Sequence, residues 1–220
     1  MADRTSIGFL RANALSLVLI AIFLATLGGQ LLTGHASYNE ERIEEGAMPV
    51  PLLVYIGSGH SLSATFENWE SEFLQMGMYV LLTVWLRQRG SAESRPFESS
   101  PDEEKIDSGP TPWPVRAGGL WKLLYANSLA LAFFGLFAFS FFLHLRNSWR
   151  LELDERLLRG DPPISLWYHF SGPTFWFESF QNWQSEFFAV LAIVVLSIFL
   201  RQEGSPQSKP MKAPHAQTGA

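Results

Sequence analysis

The sequence of 220 residues has no cysteine, which excludes disulfide frameworks, thiolate metal sites and cysteine nucleophiles. Charge is sparse: 17% of residues are Asp, Glu, Lys or Arg, and the net charge is −5. No basic run is dense enough to track a phosphate backbone, so nucleic acid is not an expected partner. Also missing are a glycine-rich phosphate loop, a nucleophile spaced to a base, and the His and Glu spacing of a metal-binding motif. The expectation is therefore a non-enzymatic chain with no catalytic residue, no cofactor and no metal centre.

What is present is apolar and unevenly distributed. Residues of the set AVILMFWYC make up 47% of the chain. The mean hydropathy of +0.08 averages strongly apolar blocks with the charged stretches between them. Ala12–Leu32 holds no charged residue, and Leu123–Leu143 is equally free of charge. Each is long enough, at about 1.5 Å per residue, to cross the roughly 30 Å hydrocarbon core. Phe73–Leu86 and Phe187–Leu200 are too short alone, but they cross if their helices begin at Phe66 and Phe180. A cleaved signal peptide is the alternative reading of the first block, with Arg4 and Arg11 as its basic region. The length of the block and its counterpart in an internal repeat weigh against that.

The repeat is ungapped. Displaced by 114 positions, Arg11–Ser94 matches Tyr125–Ser208 at 25 of 84 pairs. Many of the identities are Asn, Trp, Glu, Arg and Gly rather than generic apolar residues, so composition alone does not explain them. Each half reads as span, outer loop, span. The expected fold is all-α: an integral membrane four-helix bundle of two tandem helical hairpins. They are related by a pseudo-two-fold axis along the membrane normal. The first repeat covers 1–93, with spans at 12–32 and 66–86 and an outer loop at 33–65. A linker at 94–119, rich in Pro, Ser, Gly and Glu, reads as disordered. The second repeat covers 120–202, with spans at 123–143 and 180–200 and a loop at 144–179. A second disordered segment, 203–220, ends the chain. In the outer loops, Tyr38–Gly46 and Leu151–Gly160 read as short helices stopped by glycine. The N-terminus, linker and tail carry eleven of the sixteen Lys and Arg residues, which places both termini in the cytoplasm.

The most specific repeated element is Phe-x-Asn-Trp-x-Ser-Glu-Phe, at Phe66–Phe73 and Phe180–Phe187. Trp69 and Trp183 fit the outer interface as anchors. Asn68 and Glu72 lie one helical turn apart, as do Asn182 and Glu186. The two glutamates would sit roughly 9 Å inside their spans, at the depth of Gln30 and His144. Pairing of Glu72 with Gln30 and of Glu186 with His144 is expected. These six residues form the candidate polar intramembrane site. Carboxylates and histidine inside a membrane are the parts of a proton or cation relay, and equally of a tie between helices. Asn13 and Asn127 are expected to join neighbouring helices near the cytoplasmic side.

The FENWESEF and FESFQNWQSEF stretches, each followed by a span and then LRQRGSAES or LRQEGSPQS, resemble an uncharacterised bacterial membrane-protein family. It is known only as a domain of unknown function. The resemblance implies a multi-pass protein of the bacterial inner membrane and assigns no activity. The expected partners are the lipid bilayer and either a second copy of the chain or another membrane protein. Two functions remain open: assembly or envelope interaction without catalysis, or a small proton- or cation-coupled transporter or channel.

Overall fold

The computed structural model describes residues 8–97 and 109–219 and is all-α over them. Its helices are α1 Phe9–Ala12, α2 Ala14–Glu44, α3 Leu52–Ile56, α4 Gly59–Trp85, α5 Trp113–Ala117, α6 Gly119–Ala126, α7 Ser128–Arg159, α8 Leu166–Ser171 and α9 Pro173–Phe199. Residues 98–108 of the expected linker, with Lys105, lie outside the described residues, as does Arg4 near the N-terminus. The chain divides into two compact units, 1–64 with 147–164 and 65–146 with 165–220.

Among the described residues three helices, α2, α7 and α9, are long and apolar enough to cross a membrane. The fourth long helix, α4, has 27 residues but is more polar, with Glu67, Glu70, Glu72 and Gln75 in its first two-thirds. Burial is inverted relative to a water-soluble domain. Among the described residues, Tyr55 and Phe175 are the fully buried apolar side chains, whereas Ser71, Glu70, Ser140, His144 and Ser179 are buried polar ones. No residue of α2 is buried, and Leu15, Ile20 and Leu24 lie open on its surface. An apolar exterior of this extent is stable against hydrocarbon, not water.

The long helices continue past the apolar blocks. The expected short helices at Tyr38–Gly46 and Leu151–Gly160 are not separate: they are the ends of α2 and α7. Nothing between Leu32 and Tyr38 breaks the helix, because a single glycine costs only about 1 kcal/mol. The glycines do stop both helices. Gly46 (φ 77°) and Gly160 (φ 74°) adopt the left-handed conformation, and Ala47 N–H and Asp161 N–H donate back to Arg42 O and Arg156 O. This is a Schellman arrangement, which satisfies carbonyls that the helix end would leave unpaired.

Residues shared by the two halves make matching local bonds. His35 contacts Val50 O at 2.7 Å, and at the corresponding positions Trp149 Nε1–H donates to Ile164 O at 3.0 Å. Arg87 donates to the carbonyls of Thr83, Val84 and Leu86, and Arg201 to those of Ser197, Ile198 and Leu200. Gln88 N–H reaches Ser94 Oγ, and Gln202 N–H reaches Ser208 Oγ. The repeated Leu-Arg-Gln-x-Gly-Ser sequence is thus a helix stop, with arginine on the last carbonyls where the helix dipole favours a cation. Composition suggests a disordered tail, yet Lys209 is buried and its ammonium donates to Gly90 O, His215 O and Gln217 O. A lysine has three hydrogens to place, and turn-rich backbone supplies carbonyls that a composition count does not reveal.

Within the first unit, α3 packs on α2. Tyr55 lies against Gly34, and its ring centroid is 5.6 Å from those of His35 and Tyr38. Its hydroxyl lies 3.2 Å from Nδ1 of His60. Burial holds the His60 imidazole below its ordinary pKa, so it is neutral at pH 7 and Nδ1 can accept from the tyrosine. Gly59 brings two backbones together: a Cβ there would lie 2.6 Å from Leu151 N and 2.8 Å from Asn147 O. Two outcomes are expected. Gly59→Ala should destabilise the protein by about 1–3 kcal/mol, read as a lower midpoint in detergent unfolding, because backbone on both sides must move. Acidification should weaken the same unit. The unfolded chain binds the His60 proton more readily, so stability falls as pH drops below about 6.5, and His60→Gln should flatten that dependence.

Candidate functional site

The second unit holds a cluster of ionisable side chains contributed by α4, α7 and α9. On α4, Glu67 and Glu70 lie three residues apart and share a face. Glu70 and Ser71 are fully buried, whereas Glu72 and Asn68 are exposed. Glu70 and Glu72 differ by about 200° around the helix, so a helix that turns one inward turns the other out. On α7, Ser140 and His144 form a buried stripe one turn apart. On α9, Gly172–Pro173 start the helix with proline at its first position, where no amide hydrogen is needed. Phe175, Ser179, Asn182 and Trp183 then follow on the inward side.

Glu70 is the centre of the cluster. Its Oε2 lies 3.1 Å from His144 Nδ1, and its Oε1 accepts from Trp183 Nε1–H at 3.2 Å. Both Glu70 and His144 are fully withdrawn from solvent. A carboxylate accepts and does not donate, so it fixes the imidazole hydrogen on Nδ1. The other ring nitrogen, Nε2, is buried and has no hydrogen-bond partner. Nε2 faces Glu178 Oε2 at 3.8 Å; Glu178 is 37% exposed, and Glu67 is likewise only partly buried. Asn182 Nδ2 donates to Glu67 Oε1 and to Glu178 O, the latter at 3.3 Å. One donor atom from each of Glu67, His144 and Glu178 lies within 4.8 Å of the other two. Aromatic rings wall the cluster: Phe175 is 4.9 Å from the imidazole, and Phe137, Phe141 and Trp176 lie about the Trp183 indole.

Of the residues expected from sequence, His144 and Asn182 belong to this cluster. The partner of His144 is Glu70, not Glu186. Glu186 is half-buried and close enough to Glu72 for the two carboxylates to repel, so this pair forms a separate polar patch. Gln30 is exposed on α2 in the other unit. Asn68 offers its carbonyl to Ser71, as Asn182 does to Ser185. Trp69 stacks edge-on with Phe66 at 5.3 Å, while Trp183 spends its indole hydrogen on Glu70 rather than on an interface. Asn13 and Asn127 bond within their own segments among the described residues. Each donates back to its own chain, to Phe9 O and Leu123 O at 2.8 Å, where α1 and α6 end. A side chain that can satisfy a nearby carbonyl does so before it reaches across to another helix.

Glu67, Glu70 and Glu178 were not singled out in the sequence. A signal for them existed at positions where the halves differ: Glu67 stands opposite Gln181, Glu70 opposite Gln184, Glu178 opposite Ala64 and His144 opposite Gln30.

An all-α fold with three helices of membrane-spanning length among the described residues defines the class: an all-α membrane-associated chain. A family profile described as a domain of unknown function, DUF6766, matches residues 6–220, and the chain belongs to that family. No curated protein and no solved structure shows a match to it.

The cluster predicts a sharp contrast in stability. Glu70→Ala would strand the buried Nδ1–H of His144 and the indole hydrogen of Trp183. It should cost about 3–5 kcal/mol in detergent or bicelle unfolding, whereas Glu72→Ala on the exposed face should leave the midpoint almost unchanged. Equal effects of the two substitutions would contradict this orientation of α4.

Proposed function

We propose that the protein is a non-enzymatic multi-pass protein of the bacterial inner membrane, and that the cluster on α4, α7 and α9 takes up a cation. In this reading α2, α4, α7 and α9 all cross the bilayer as two tandem hairpins, with both termini cytoplasmic. The polarity of α4 is compatible with crossing because Glu67 and Glu70 turn toward α7 and α9 instead of lipid. The one observation that carries the cation reading is charge balance around a buried histidine. Three carboxylates, Glu67, Glu70 and Glu178, surround His144. Even a charged imidazole leaves the group negative when all three carboxylates are ionised, and a low-dielectric interior favours neutralising it, by a proton on one carboxylate or by a bound cation.

The bare surface of α2 favours a second role alongside this one. A helix with no buried residue is available to pack against another copy in the membrane, as assembly would require.

Topology is tested first. A reporter at Gly109 should be cytoplasmic, and reporters at Gly46 and Gly160 should lie outside. A Gly109 reporter found outside would mean that α4 does not cross. Cation uptake is tested in proteoliposomes screened for H⁺, Na⁺ and divalent-ion flux. Glu67→Gln combined with Glu178→Gln should reduce flux at least tenfold, while Glu72→Gln should not. Absence of flux for every ion tested would remove transport and leave assembly.

A further inference from the structure

The cluster has the construction of a particular kind of cation site. We infer that Glu67, His144 and Glu178 bind a divalent first-row transition ion such as Zn²⁺, Mn²⁺ or Co²⁺, with Glu70 as the residue that positions the histidine. This rests on the cation reading above and names the class of ion.

Four observations support it. His144 Nε2 is completely buried, lacks a hydrogen-bond partner and points toward the two outer carboxylates. A buried ring nitrogen left unmatched, as a lone pair or as an N–H, is costly unless something occupies the space before it, and a bound ion would take the place of any proton there. Second, the opposite ring nitrogen meets Glu70 Oε2 at 3.1 Å, the carboxylate–histidine arrangement that orients metal-binding imidazoles and raises their basicity. Third, Glu70 is itself held by Trp183 on its other oxygen, so the positioning group is fixed before any ion arrives. Fourth, Asn182 occupies Glu67 Oε1, which leaves Glu67 Oε2 to bind.

The donor set selects the ion. One imidazole nitrogen and two carboxylates suit borderline first-row ions, whereas Mg²⁺ and Ca²⁺ prefer oxygen alone. Donors at about 2.0–2.2 Å from a tetrahedral ion stand roughly 3.3–3.5 Å apart. The three donors here lie within 4.8 Å of one another, a gap that rotation of the two glutamate side chains closes. Three protein ligands leave a position for water or for an ion in transit. Glu178, partly exposed, stands at the entrance.

The test uses the full chain in detergent or nanodiscs, stripped with chelator and titrated with CoCl₂ and ZnCl₂. One equivalent of Co²⁺ should give the intense visible bands of a four- or five-coordinate ion, and Zn²⁺ should displace it. Glu178→Gln, at the rim and therefore tolerant of substitution, should weaken binding at least tenfold. His144→Ala should abolish the bands, and Glu70→Gln should weaken binding by about 10- to 100-fold. Glu72→Gln and Glu186→Gln should bind as the parent does. If His144→Ala fails to fold, nitrogen hyperfine coupling from one imidazole in the pulsed EPR of the Co²⁺- or Mn²⁺-loaded parent supplies the same information. No stoichiometric binding, spectra of a six-coordinate aquo ion, or unaltered binding by Glu178→Gln would overturn the assignment. The outcomes separate from those of the transport reading. Binding without flux keeps the metal site and removes transport; H⁺ or Na⁺ flux without metal binding does the reverse.

Discussion

A carboxylate fully withdrawn from solvent must have both oxygens met, and Glu70 is met from two different helices. His144 on α7 serves one oxygen and Trp183 on α9 the other. Those two contacts fix the rotation of α4 about its axis, because removing either leaves a buried polar group unpaired at a cost of a few kcal/mol. With that rotation set, Ser71 turns inward and Glu72 outward, and Gly77 presents its bare face to Phe133 and Phe134 on α7. Apolar contacts follow from the polar contact here, the reverse of the order in a soluble domain. Lipid offers no gain for burying leucine, so specificity falls to hydrogen bonds and to small residues that let helices approach.

The same constraint accounts for Ser71 and Ser197 in the interior, whereas the buried hydroxyls of Ser140 and Ser179 have no partner among the described residues. Ser71 returns its hydroxyl to Asn68 O, and Ser197 returns its own to Val194 O while also meeting Ser91 Oγ at 2.9 Å. A serine that is satisfied by its own helix takes little volume and leaves no stranded donor. The aromatic residues do the opposite work. Phe175 lies 4.9 Å from the imidazole, and Phe141, Trp176 and Trp183 pack with Phe175 and with one another at 5.5–6.5 Å. Glu70 and His144 are fully withdrawn from solvent, and charges there act more strongly than in water.

Much of the architecture is legible in the residues themselves. Apolar length marks α2, α7 and α9, and the glycines at 46 and 160 mark where two long helices stop. The repeated Leu-Arg-Gln-x-Gly-Ser segment marks the ends of α4 and α9. Two things are not legible. Helix phase is one: Asn68, Glu72 and Gln75 make as good a polar stripe as Glu67 and Glu70 do, and only the partners on α7 and α9 decide which faces inward. The other is helix continuity. The edge of an apolar block marks the edge of the hydrocarbon, and a helix is free to run on into water, as α2 does to Glu44.

The repeat itself directs attention away from the site. Positions that agree between the halves build helix ends, caps and the edge-on Phe–Trp pairs at 66/69 and 180/183, which both halves need in order to fold. The proposed site for one cation per chain needs the opposite: an ionisable residue at one of each pair of matching positions and none at the other. At Gln30, Ala64, Gln181 and Gln184 the counterpart positions are neutral. Four substitutions in a duplicated scaffold, each at a position where the copies are otherwise free to differ, therefore suffice to concentrate three carboxylates and one imidazole at a single place. Doubling the set would bury twice the charge, and a marginally stable fold has little reserve to offset it. Divergence between the halves is thus a requirement of the chemistry, and in a repeat protein of this kind the residues that fail to repeat are the ones to read for function.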